Sequence, residues 1–167
     1  MNATGTIQPE LFKGFHPDSK VWIYAADRFL TDDETVNINL QLDEFTREWT
    51  AHDVALKGSG AVLYRRFIVL AVDQSHTNAS GCSIDKSVHF IKSLETQFGL
   101  DLFDRLIIFY QSNDEIKSFH FNDLIPKISS GEISGSTKIY DTTITQLGLF
   151  KNEFIKEAGK SWLARFL

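Results

Sequence analysis

The chain has one cysteine among 167 residues, so it can form no internal disulfide. A lone thiolate also cannot build a zinc site. Both exclusions fit a reducing compartment. Basic excess is missing too: 17 Lys and Arg stand against 22 Asp and Glu, a formal net charge of −5. That excludes a general polyelectrolyte surface for nucleic acid. The aromatic residues are not interleaved with basic ones, which argues against base stacking. No run approaches the ~18 apolar residues of a membrane span. The start, MNATGTIQPELFKGFHPDSK, has no basic segment followed by an apolar one, so no secretory leader is expected. There is no internal repeat and no low-complexity tract. The expected location is the cytoplasm.

What is present suits a packed core. Hydrophobic residues make up 43% of the chain and include 14 Phe, enough to exclude a disordered chain. Residues 1–20 hold Pro9 and Pro17 and read as an irregular arm that docks through Leu11, Phe12 and Phe15. Val21–Ala26 is apolar on both alternating faces, the pattern of a strand covered on both sides. Thr31-Asp32-Asp33-Glu34 is a capping box with acidic residues where a helix dipole favours them. After it, Val36, Ile38, Leu40 and Leu42 alternate like a strand, while Ile38, Leu42, Phe45 and Trp49 follow helical spacing. The cap and the length favour a helix to about Thr50.

Lys57–Gly60 reads as a turn, and Ala61–Val72 as the longest strand, with a bulge or an exposed start at Arg65-Arg66. A helix follows over about Ser83–Phe98, with Ile84, Val88, Ile91, Leu94 and Phe98 as its stripe and Gly99 as its stop. Leu106–Tyr110 is a third two-faced strand, and Arg105–Phe121 a hairpin turning at Ser112-Asn113-Asp114. Asn122–Ile128 is a short helix, Thr137–Ile144 a strand, and Ser161 caps a terminal helix. The expected class is α/β, with α+β as the alternative. It comprises a mixed sheet in two or three layers plus a small C-terminal strand–helix–strand module. Residues 1–167 form one domain: an arm (1–20), a core (21–111) and a module packed on the core (112–167).

VWIYAADRFLTDDE, SGCSIDKSVHFI and LFDR, in this order, resemble an uncharacterised family of small bacterial proteins found mainly in Bacteroidetes. Its members often carry the label "ABC transporter ATPase". The resemblance implies no catalytic residues. The tail from Asp123 to the end resembles a strand–helix–strand module of several bacterial proteins and is loosely similar to GYF-like peptide-binding modules. The label itself fails on the residues. A Walker A loop needs a glycine five positions before its GK pair. The one GKS is Gly159-Lys160-Ser161, and position 154 is Phe154.

The candidate site is the loop and helix from Asp73 to His89. Cys82, near the helix start, has the position of an activated thiolate, with His76 or His89 as its base. The plainer alternative is a shielded packing residue, and that is the expectation adopted here. Asp73, His76, Asp85 and His89 could together hold a divalent ion, or be an exposed helix pair and a loop cap. No complete metal motif is present, and neither a metal nor another cofactor is expected. Ser80, Gly81, Cys82 and Ser83 could form an anion nest, against simple capping by Ser83. Trp22, Trp49 and Trp162 are expected in the packing. The leading function is a non-catalytic binding or interaction protein, with a protein or small-molecule partner and homo-oligomerisation open. The rival is a small thiol-, metal- or phosphate-dependent enzyme acting at the Asp73–His89 site.

Overall fold

The computed structural model describes residues 7–167; the first six residues of the expected arm lie outside the described residues. The elements run β1 (Lys20–Ala25), α1 (Asp32–Glu48), β2 (Thr50–Ala51), β3 (Val54–Ala55), β4 (Lys57–Leu63), β5 (Phe67–Asp73) and α2 (Gly81–Phe98). The second half holds β6 (Ile107–Ser112), β7 (Glu115–His120), α3 (Leu124–Ser129), β8 (Lys138–Tyr140), α4 (Leu147–Glu153) and β9 (Ile155–Glu157). Short 3-10 turns occupy Phe121–Asp123, Ala158–Lys160 and Trp162–Phe166.

Helices and strands are mixed as expected, but the sheet is divided. One sheet has the order β1-β5-β4, a second β7-β6-β8-β9, and β2-β3 forms a separate ribbon. Every described ladder is antiparallel, where a mixed sheet was expected. Tight hairpins are the physical reason. His52-Asp53, Tyr64-Arg65 and Asn113-Asp114 all have positive φ, which suits two central turn residues between twisted strands. The expected strand over Ala61–Val72 therefore folds back at Tyr64, and the expected turn at Lys57–Gly60 is strand. Gly58 and Gly60 serve packing there. A Cβ on Gly60 would meet Leu42 Cδ2 at 2.9 Å, and one on Gly58 would meet Trp49 at 3.0 Å, so they let α1 lie close to β4.

All seven residues of β5 are buried. Ile68 and Leu70 face α1 and α2 through Ile38, Leu42, Ile91 and Leu94. Phe67, Val69 and Ala71 face the second sheet through Phe109, Ile116 and Tyr140, with Phe150 and Phe154 of the α4 region beside them. The second sheet has its own outer cover, where Ile108, Tyr110, Phe119 and Ile139 pack with Leu124, Ile133 and Leu163. The result is four layers, helix–sheet–sheet–helix, rather than two or three. The step at Gln111 does not divide the sheets, because β6 is an inner strand of the second sheet rather than part of the first. The arm docks as expected, with Phe12 buried and Leu11 and Phe15 packed on the same cluster.

The start of α1 ties the helices together. Thr31 and Glu34 form the expected reciprocal capping box. Arg28 donates to both Glu34 oxygens at 2.8 and 2.9 Å, and also to the Phe98 carbonyl at the end of α2, at 2.7 Å. The Arg28 guanidinium, with the Thr31 N–H, draws the Glu34 carboxyl down from 4.5 to about 2. Its stabilising effect is therefore full above about pH 4.5 and is lost as the pH falls towards 2. Glu34→Gln keeps a capping acceptor and loses the charge. It should cost about 1 kcal/mol at pH 7, the exposure of Arg28 limiting the effect. Urea titrations of both proteins across this range should show the difference vanish near pH 2; a constant difference contradicts the assignment.

Candidate functional site

The region begins at Asp73, the last residue of β5. Its carboxylate is buried and accepts four hydrogen bonds. The N–H and hydroxyl of Ser75 donate to Oδ1 at 2.9 and 2.6 Å, and the His16 N–H and Lys57 Nζ donate to Oδ2 at 3.1 and 3.2 Å. The Ser75 bonds foremost, then His16 and Lys57, hold it well below the usual carboxylate range. Lys57 also donates to the Gly14 carbonyl at 2.7 Å and lies over the Phe15 ring. Asp73 therefore joins the arm to the first sheet, and its oxygens are occupied by the protein. A shallow cleft of about 310 Å3 beside it is lined by His16, Asp18, Ser19, Gln74 and Ser75 as well as Asp73.

The helix begins two residues before its expected start. Ser80 is the N-cap, its hydroxyl accepting from the Ser83 N–H at 3.1 Å, while Ser83 Oγ accepts from the Ser80 N–H at 2.7 Å. Ser83 is buried, and its carbonyl accepts the indole N–H of Trp49 at 2.8 Å. Capping is therefore what these serines visibly do, although Ser80 rather than Ser83 is the cap. Gly81 is exposed, with nothing within 4 Å of where a Cβ would stand.

This start sets the rotation of α2. Its fully buried positions are Ser83, Ser87, Ile91 and Leu94, while Ile84, Val88 and Phe98 of the expected stripe are half-buried. Small serines let the helix sit close to its neighbours, and their polarity hid that face from the sequence pattern. Cys82, Asp85 and His89 consequently point away from the core, and all three are exposed, as is His76 in the loop. Cys82 is thus not the shielded packing residue expected. None of the four side chains makes a hydrogen bond or an ion pair among the described residues. No three His, Cys, Asp or Glu side chains among the described residues are placed to hold a metal ion, so Asp73, His76, Asp85 and His89 do not converge.

Three groupings escaped the sequence reading. Arg66 is buried between two rings, 4.7 Å from the centroid of Phe29 and 5.1 Å from that of Phe109. It donates to the Ala26 carbonyl and to Ser118 Oγ, joining the two sheets. Tyr110 donates its hydroxyl to Glu132, which also accepts from Lys127. Phe121, Trp162 and Phe166 form an aromatic cluster near the C-terminus. Trp162 is 37% exposed, whereas Trp49 is buried and Trp22 half-buried. The i,i+4 spacing of Trp162 and Phe166 was the available signal, but aromatic pairs at that spacing are usual in cores.

Gly159-Lys160 lies in a 3-10 turn rather than a strand–loop–helix, Phe154 is buried, and Lys160 pairs with Glu157 at 2.8 Å. The segment offers no phosphate cradle. No described helix is long and apolar enough to cross a membrane. Comparison with known proteins finds no matching family model, curated protein or solved structure.

The placement of Cys82 has a direct consequence. Iodoacetamide should label it in the folded protein without denaturant. Cys82→Ala should change stability by less than about 0.5 kcal/mol, as for other exposed substitutions. Protection from the reagent until unfolding contradicts this placement.

Proposed function

We propose that this protein is a non-catalytic binding module of a reducing, cytoplasmic compartment, engaging an extended proline-containing peptide on its Phe121–Trp162–Phe166 surface. The observation that carries the reading is an aromatic cluster in which Trp162 is exposed and Phe121 and Phe166 are half-buried against the core of the second sheet. Ring centroids lie 6.1 Å apart for Phe121–Trp162, 5.5 Å for Phe121–Phe166 and 6.3 Å for Trp162–Phe166. Ser161 caps the turn that presents Trp162, its hydroxyl accepting from the Leu163 N–H. Leu106, whose carbonyl accepts from the Phe121 N–H, and Ile125, one turn further along the chain, add exposed apolar area.

Rings held in place lose little entropy on binding, and Trp is the side chain most often found at the energetic centre of an interface. Aromatic-lined surfaces suit polyproline II segments, which arrive already extended. The Trp162 indole N–H has no partner among the described residues and can donate to a peptide carbonyl. The likeness of the tail to peptide-binding modules points the same way. The exposure of Cys82 is the one observation on the side of a thiol enzyme. No histidine among the described residues is hydrogen-bonded to it, so the binding reading is better supported.

Titration of 15N-labelled protein with a panel of ten-residue proline-containing peptides tests this. The account expects shifts centred on the Trp162 indole signal and at least tenfold weaker binding in Trp162→Ala, with the fold intact by circular dichroism. Peptides that leave Trp162 unperturbed, or that bind Trp162→Ala equally well, overturn it.

A further inference from the structure

The outer face of α1 carries two apolar side chains that no described element covers. The helix splits the alternation of Val36, Ile38, Leu40 and Leu42. Ile38 and Leu42 are fully buried against the first sheet, whereas Val36 and Leu40 point the other way, 61% and 65% exposed. No large hydrophobic residue among those described is more exposed than these two. Positions four apart on a helix lie side by side, so they form one apolar strip. Helix formation does not require Val36: Val is among the weaker helix formers, and a solvent-facing helical position is ordinarily polar.

The charges around this strip are placed symmetrically. Asp33 stands seven residues before Leu40 and Arg47 seven after it, two turns in each direction and on the same face. Both are exposed, and neither side chain makes a hydrogen bond or an ion pair among the described residues. The acids on either side of Asp33 are engaged, Asp32 with Arg65 and Glu34 with Arg28. Asp43 and Glu44 flank Leu40 on the side towards Arg47 and are exposed too.

These positions choose among partners. A second α1 lying antiparallel, with the two-fold axis at Leu40, sets the two Leu40 side chains together and leaves Val36 one turn from Leu40 of the other copy. Asp33 of each copy then faces Arg47 of the other. Asp43 faces Asn37 and Glu44 faces Val36, so no acid opposes an acid, and these two lie at the rim where solvent screens them. An axis moved to midway between Val36 and Leu40 would set Asp33 against Asp43. A parallel pair would set Asp33 on Asp33 and Arg47 on Arg47. Like charges held opposite one another disfavour both alternatives. The 17 residues of α1 make a helix about 25 Å long. One face of that length buries less than the ~800 Å2 per partner of a standard interface, so the association is weak and depends on concentration.

We propose that α1 is the contact surface for a second copy of this chain, paired antiparallel about a two-fold axis at Leu40. The Val36–Leu40 strip supplies the buried area, and the two Asp33–Arg47 pairs fix the register. α1 covers the first sheet, whereas the Phe121–Trp162–Phe166 cluster covers the far side of the second, so this contact is independent of the peptide surface.

Sedimentation velocity from ~10 to ~500 μM, a range that spans weak association, tests it. The unmodified chain should pass from monomer to dimer as its concentration rises. Leu40→Glu should stay monomeric throughout, and Trp162→Ala should dimerise as the unmodified chain does. Val36→Glu serves as the second variant if circular dichroism shows that Leu40→Glu misfolds. Asp33→Arg and Arg47→Asp should each weaken dimerisation about fivefold or more, because each homodimer sets like charges face to face. An equimolar mixture of these two variants should restore it: the introduced charges then face each other with opposite signs, and one natural Asp33–Arg47 pair remains. A monomer at every concentration, a dimer indifferent to the strip variants, or a mixture no stronger than its components overturns the proposal.

Discussion

The structure depends on the ring of Phe67. It sits at the start of β5 with no exposed surface, and it touches both halves of the chain. Its centroid lies 5.2 Å from those of Phe109 and Phe154 and 5.4 Å from that of Tyr140. Such aromatic pairs add about 0.5–1.5 kcal/mol each to the burial of their area. The constraint behind them is general. A central strand apolar on both faces needs two covers, and α1 and α2 supply only one. The second sheet and α4 supply the other, which is why β5 and the C-terminal third share one cluster.

Around this core, polar contacts fix how the elements are delivered. Arg28 locks the start of α1 to the end of α2 through Glu34 and the Phe98 carbonyl. Asp73 and Lys57 fasten the arm to the end of the first sheet, and Arg66 spans from the Ala26 carbonyl to Ser118 of β7. Arg105 closes part of the outer edge of β1 by donating to the Ile23 carbonyl and lies over the Tyr24 ring. These groups carry charge yet act as fasteners. In the Asp73–His89 region only Asp73 acts in this way; Cys82, His76, Asp85 and His89 are exposed and form no nucleophile–base hydrogen bond among the described residues, while the peptide surface proposed lies in the second half.

Signals that depend on near neighbours were legible. The Thr31–Glu34 box, the Gly99 stop, the Asn113-Asp114 turn and the Ser161 cap stand where the residues placed them. Signals that depend on distant partners were not. Tyr64-Arg65 turns the chain without glycine or asparagine, because Tyr64 packs on Phe67 and Tyr140 while Arg65 donates to the Leu30 carbonyl at 2.7 Å. Gly58 and Gly60 looked like turn residues because the pressure of Leu42 and Trp49 on them is absent from the local sequence. Cys82 was misplaced for the same reason: two buried serines, not the aliphatic stripe, set the rotation of α2. Trp162 resembled a core residue until the face it occupies was known.

The central claim is that the two sheets are one cooperative unit joined at Phe67. Native-state hydrogen exchange tests it most directly, by comparing the slowest amides of β5 with those of β6. The account predicts the same opening free energy for both sets, and an equal fall of about 3–5 kcal/mol in both for Phe67→Ala. A lower opening free energy for β6 alone, or a fall confined to β5, would contradict it.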